Sequence, residues 1–250
     1  MARRIALVLE YEGTGYAGFQ LQANAPSVQE QVELAVERLT SERPRLKGAG
    51  RTDAGVHALG QVVAFDTAST MAVERFRGGL NHYLPEDIAV VGAYEAPSGF
   101  DPRRQATARV YRYTLLERDV RSPLRRRFVH RVGKRVDLAA MAQALAYTEG
   151  ERDFGPFSGA YPQEKSTVRR MLRTAVWREE SEAHVELEGN AFLPQQVRRT
   201  VAAALEVGLG RMSLLSFQAL ADSGQRGAAA RVLPPTGLCL RQVKYRRFPP

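Results

Sequence analysis

The sequence predicts an α+β protein built as two lobes, 1–103 and 104–250. Three observations carry this. Strand-period and helix-period segments interleave in both halves. No internal repeat or low-complexity linker interrupts them. One turn-rich stretch, PSGFDPRRQAT, marks a boundary near residues 98–108, and a cleft between two such lobes is a natural place for a site. A chain of 250 residues can bury a core in one large domain or in two smaller ones without staples.

The elements follow in order. RRIALVLEYE places Ile5, Leu7 and Leu9 on one face and reads as a strand. A glycine-rich turn, EGTGYAGFQLQ, comes next. SVQEQVELAVERLTSER then reads as an amphipathic helix, with Ser27 and Glu30 as a capping box and a stripe of Val28, Val32, Ala35, Val36 and Leu39. The loop around Asp53 leads into the strand GQVVAFDT. A helix over 71–83 carries Val73, Phe76, Leu80 and Tyr83, and DIAVVGAYEA is a further strand. In the second half RVYRYTLLE is a strand. DLAAMAQALAYTEG is a helix capped by Asp137 and stopped at Gly150. TVRRMLRTAVWREE and AHVELEGNAF form a hairpin about Glu180 and Ser181. QQVRRTVAAALEVGLG is a helix ended by glycine, a helix covers about 214–222, and GLCLRQVKYRR is a last strand.

Composition narrows the function. No apolar run approaches the ~18 residues that span a bilayer, and the basic start MARR leads into a strand, not a signal peptide. The reading is a cytoplasmic protein with no membrane partner. One cysteine, Cys239, excludes an internal disulfide and a cysteine-based zinc site, and the four histidines show no ligand spacing. No metal and no other cofactor is expected. The net charge of +9 and pI near 10 favour a polyanionic partner. Of the 36 basic residues only 4 are lysines. Arginine binds phosphate bidentately and stacks on bases, which suits RNA; a GC-rich genome accounts for the ratio equally well, but not for the net excess. RRRFVHRVGKR (125–135) and Arg169–Arg170 are candidate stretches along an RNA path, or simply solvated faces.

The most pointed local signal is GRTDAGVHALGQVVAF, residues 50–65. A loop aspartate is by default a turn residue. A reactive one has to be ionised, exposed to substrate and fixed in direction. Arg51 is a cation that would favour the charged form of Asp53, and the flanking glycines would let a planar substrate approach the backbone. His57 reads as structural or RNA-contacting in preference to a general base. Spacing alone leaves a turn and a reactive carboxylate both open.

Seven blocks in chain order add to this. GRTDAGVHALGQV resembles the signature loop of the TruA-type tRNA pseudouridine synthases. YEGTGYAGFQLQ with SVQEQVELA, LNHYLPEDIAV, FDPRRQATARVYRYTL, GERDFGPFSG, GNAFLPQQVRRTVAAALEVGLG and PPTGLCLRQVKY resemble the family's other blocks, over about residues 8–245. The resemblance implies the pseudouridine synthase fold: two ferredoxin-like lobes with mainly antiparallel sheets flanking a central catalytic cleft. It implies a cofactor-free isomerase acting on tRNA, at uridines 38, 39 and 40 of the anticodon stem-loop, as a homodimer whose subunits share one tRNA. Asp53 falls on the family's catalytic aspartate, Tyr111 on the tyrosine that contacts the target base, and Arg51 and Arg198 on active-site arginines.

The residue types suit that chemistry. The glycosidic bond must break, the uracil must turn, and C5 must bond to C1′. A carboxylate can act as a nucleophile at C1′ or C6, or remove the ribose 2′ proton. An arginine can hold the carboxylate, and a tyrosine ring can stack on the flipped base. This chain departs from the family at Glu12, Phe19, Asp101-Pro102 and Pro194-Gln195-Gln196. These departures bear on the pocket rim and on local RNA contacts, not on Asp53, Arg51, Tyr111 or Arg198.

Overall fold

The computed structural model describes residues 2–248. Its elements are β1 (Arg3–Tyr11), α1 (Val28–Thr40), β2 (Lys47–Gly48), β3 (His57–Thr67), α2 (Val73–Tyr83), β4 (Ile88–Ala96), β5 (Ala106–Leu116), β6 (His130–Arg131), α3 (Leu138–Ala146), β7 (Gly150–Asp153), β8 (Val168–Glu179), β9 (Glu182–Gly189), α4 (Gln196–Gly208), α5 (Leu214–Ala221) and β10 (Leu238–Tyr245). The chain is α+β, its strands mostly antiparallel. It forms two compact units: residues up to Thr107 together with the chain from Leu240 on, and Ala108–Cys239.

In the first unit the strand order is β4-β1-β3-β10. β1 runs antiparallel to both neighbours, with Ile5 opposite Phe65 and Glu95, and Leu7 opposite Val63 and Ala93. Ile5, Leu7 and Leu9 are buried, and so are Ala6 and Val8 between them, so both faces of this strand are covered. α1 begins where Ser27 accepts the Glu30 N–H at 3.3 Å, a cap worth ~1 kcal/mol. It buries Val28, Val32, Ala35 and Val36, while α2 buries Phe76 and Leu80. The sequence reading left the last strand with the second lobe. Instead β10 returns to pair with β3, and Gly60 explains how it fits: a Cβ there would lie 2.7 Å from the Arg241 carbonyl oxygen.

The second unit orders β5-β9-β8-β7, with β6 added in parallel to β5. The β8–β9 hairpin turns at Glu180, whose φ of 52° is left-handed. Asp137 caps α3 through the Ala140 N–H at 3.0 Å. That helix ends at Ala146, four residues before the expected stop. Gly150, at φ 93°, instead opens β7. The core gathers Tyr113, Leu115, Met141, Leu145, Phe154, Phe157 and Phe217.

Candidate active site

Asp53 sits in the loop between β2 and β3, half-buried. Its own backbone makes a turn, the Val56 N–H donating to the Asp53 carbonyl at 3.2 Å. What fixes the loop is a second loop, residues 13–19. Phe19 N–H donates to the Thr52 carbonyl at 3.1 Å, and Gly55 N–H to the Tyr16 carbonyl at 3.2 Å, so backbone bonds bracket Asp53 on both sides. The Tyr11 and Thr52 hydroxyls meet at 2.8 Å in a buried pair. Gln61 donates to the Gly50 carbonyl at 3.0 Å.

Such contact between two backbones demands glycine. A Cβ on Gly13 would lie 2.0 Å from the Val56 carbonyl oxygen, and one on Gly18, at φ 109°, would lie 2.8 Å from the Thr52 oxygen. Gly50, three residues before Asp53, differs: a Cβ there would meet nothing within 4 Å. The 13–19 loop has its own anchor, the Tyr16 hydroxyl donating to Asp87 at 2.6 Å. Burial first, then Asp87, pushes that phenol well above the ordinary tyrosine range. The sequence reading noted the glycine-rich EGTGYAGFQLQ turn and His57, but missed that this turn clamps the Asp53 loop.

His57 is buried, and its Nδ1 accepts the Gly13 N–H at 3.1 Å. That acceptor role makes His57 part of the clamp, in line with a structural reading. The expected pairing of Arg51 with Asp53 is not made. Arg51 is exposed, no hydrogen bond or ion pair joins the two, and Arg51 lines a separate cavity with Arg103 and Arg104, which Asp53 does not line.

Tyr111 and Arg198 stand in the second unit. Tyr111 lies in the middle of β5 opposite Leu187, is 8% exposed, and packs edge-on against Phe192 with ring centroids 5.2 Å apart. Tyr113 shares its face of the strand. The Tyr113 hydroxyl donates to the Pro234 carbonyl at 2.8 Å, and burial raises its phenol against the opposing charges of Arg198 and Arg231. Arg198, on the first turn of α4, donates from Nε to the Leu233 carbonyl at 2.7 Å. Arg199 beside it is held below the ordinary guanidinium range, by burial first and then by Arg198.

The two basic stretches singled out in the sequence are partly engaged within the protein. Arg125 makes a two-pronged pair with Glu182 at 2.9 and 2.8 Å, Arg131 donates to the Asp119 carbonyl, and Arg169 to the Ser166 and Val168 carbonyls. Among the described residues no group of three or more His, Cys, Asp or Glu is placed to hold a metal ion, and no helix is long and apolar enough to cross a membrane.

The fold and the clamped loop alone do not define an activity; the chain's relatives do. Residues 7–103 and 144–246 match the family model described as tRNA pseudouridine synthase, so the chain belongs to that family of isomerases. It is 43% identical to the tRNA pseudouridine synthase A of Citrifermentans bemidjiense over 97% of this chain and 98% of the relative. It is likewise 43% identical to the protein of that name from Myxococcus xanthus, over 99% and 94%, and to that from Geobacter sulfurreducens, over 97% and 100%.

Proposed function

We propose that this chain isomerises uridine to pseudouridine in the anticodon stem-loop of tRNA, at positions 38, 39 and 40, with Asp53 as the nucleophile. The observation that carries the reading is the Asp53 loop: a half-buried carboxylate whose loop is bracketed by backbone hydrogen bonds on both sides. Family membership supplies the reaction class.

In this reading the Asp53 carboxylate forms a bond to the uridine at C1′ or C6. The N1–C1′ bond breaks, the uracil turns, and C5 bonds to C1′. The bond to Asp53 then breaks to return the free carboxylate, C5 loses its proton to water, and N1 takes up a proton from water. Nothing is oxidised and nothing is hydrolysed, so no redox partner is called for. A carboxylate fixed before the substrate arrives avoids reorganisation during the reaction. Tyr111, braced by Phe192, provides the ring that contacts the detached base. Arg51 binds RNA rather than tuning Asp53. Arg198, oriented by the Leu233 carbonyl, binds the substrate. The enzyme acts in the cytoplasm as a two-fold homodimer on one tRNA, an extension that rests on the family resemblance alone.

The test uses stem-loop RNAs with a single uridine at 38, 39 or 40, incubated with the protein and digested to nucleosides. Pseudouridine from each is expected. Free uracil in its place would make the chain a nucleoside hydrolase. Tight binding with no product would make it an RNA-binding protein.

A further inference from the structure

One cavity of the first unit is not lined by Asp53, although Gly50 and Arg51 border it. It is about 320 Å³ in volume and is lined by Arg45, Lys47 and Arg51 from the β2 segment and by Asp101, Arg103 and Arg104 from the turn before β5. Its charges are unequally matched. Arg45 sits 3.2 Å from the buried carboxylate of Glu33, whose other oxygen accepts the Leu46 N–H at 3.0 Å and the Gln29 amide at 2.7 Å. Arg45, though its side chain is largely exposed, thus already has a carboxylate partner. The side chains of Lys47, Arg51 and Arg104 make no hydrogen bond or ion pair with the described residues.

The one acid on the rim is already engaged. Asp101 Oδ1 accepts the backbone N–H groups of Arg103 and Arg104 at 2.9 and 3.0 Å. Burial pushes its carboxyl up, but those two N–H groups with the charges of Lys47 and Arg104 outweigh it and hold the carboxyl below the ordinary range. Asp101-Pro102, one of the places where this chain departs from the family pattern, thus forms a turn. Proline adds no competing N–H, and the carboxylate pins the two arginines that follow to the cavity rim. Like charges gathered round one space repel unless an anion joins them. The aromatic ring in the lining, Phe19, is 2% exposed and offers no face for a base to stack on. Cations without stacking surface read phosphate, not sequence.

We propose that this cavity is a second RNA subsite, which takes a backbone phosphate of a nucleotide other than the reacting uridine, with Lys47 and Arg104 as its contacts. The proposal rests on the reading that the chain acts on RNA. Its role is to hold and position the RNA, so its loss weakens binding and leaves the chemical step alone.

The test is the Lys47→Ala/Arg104→Ala double variant, with thermal melting as the check on folding. Affinity for a fluorescent anticodon stem-loop is measured across about 50 to 200 mM salt, where each phosphate contact contributes ~0.9 to the slope of log affinity against log salt. The double variant is expected to lose one to two of these contacts' worth of slope and about tenfold in affinity near 100 mM salt. KM rises in step, and turnover at saturating RNA is unchanged. The charge-keeping pair Lys47→Arg/Arg104→Lys is expected to keep the wild-type slope. An unchanged slope in a folded double variant overturns the subsite. The two readings fail separately. Pseudouridine formed with an unchanged slope keeps the reaction and sinks the subsite; a fallen slope in a protein that makes no pseudouridine does the reverse.

Discussion

The two units present their candidate residues by different means. In the first, Asp53 stands on a loop, and other backbone holds that loop: Phe19 and Tyr16 bracket it, and Gly13 and Gly18 allow the approach. In the second, Tyr111 sits mid-strand and Arg198 on the first turn of a helix, so repetitive hydrogen bonding and side-chain packing place them. The lesson is about sensitivity. A loop clamped backbone to backbone cannot yield to a new methyl group, whereas a residue on regular structure moves only if its element does.

Gly13→Ala is the strongest challenge to that contrast. Its Cβ would meet a carbonyl carbon as well as its oxygen, at 2.6 and 2.0 Å, both backbone atoms of Val56. One of the two loops must shift, and a displacement near 1 Å at a reacting group costs about 100-fold in turnover. Steady-state kinetics on a stem-loop RNA read this directly. Wild-type turnover in a folded Gly13→Ala protein would show that the clamp does not position Asp53.

The second unit is expected to respond to acid. Burial first, with Arg231 and Arg131, holds His130 below the ordinary imidazole range. Burial also lowers His184, which Glu179 and Glu182 oppose and Arg112 and Arg125 reinforce. Each takes up protons more readily when unfolded. Their contribution to stability is therefore present above the unfolded pKa of about 6.5 and is lost as pH falls through the folded values. Denaturation midpoints at pH 7.5 and pH 5 should differ, and His130→Gln/His184→Gln should flatten the difference. An equal difference in that double variant would assign the acid sensitivity elsewhere.

Tyr11→Phe is the gentlest probe. It removes one partner of the buried 2.8 Å pair with Thr52 and keeps the ring, which stacks with Phe19. The expected cost is ~1 kcal/mol of stability with a small fall in turnover, seen by chemical denaturation beside kinetics. A loss as large as that of Gly13→Ala would move the clamp from the glycines to this side-chain pair.

The sequence made some parts of the molecule plain and left others hidden, for physical reasons. α1 was readable because Ser27 caps it and its apolar residues recur at helical spacing, and α3 because Asp137 does the same. Gly150 misled because a glycine after a helical run looks like a stop, whereas its left-handed backbone serves the start of β7. β2 and β6, two residues each, are too short for any period. β3 begins at His57, ahead of the run GQVVAF that announced it. The candidate residues were picked out by family motif, but the clamp was not, since backbone contacts between residues 13–19 and 52–57 leave no periodic mark. Nor does a motif show which way Arg51 turns.

The account turns on Asp53 as the reacting group, and the most direct measurement follows the C5 proton. Stem-loop RNA carrying tritium at uridine C5 would be given to wild type and to Asp53→Asn, with RNA affinity measured in parallel. The account predicts that wild type releases the label to water, while Asp53→Asn binds the RNA with similar affinity and releases none. Release by Asp53→Asn at the wild-type rate would contradict it and place the chemistry on another group.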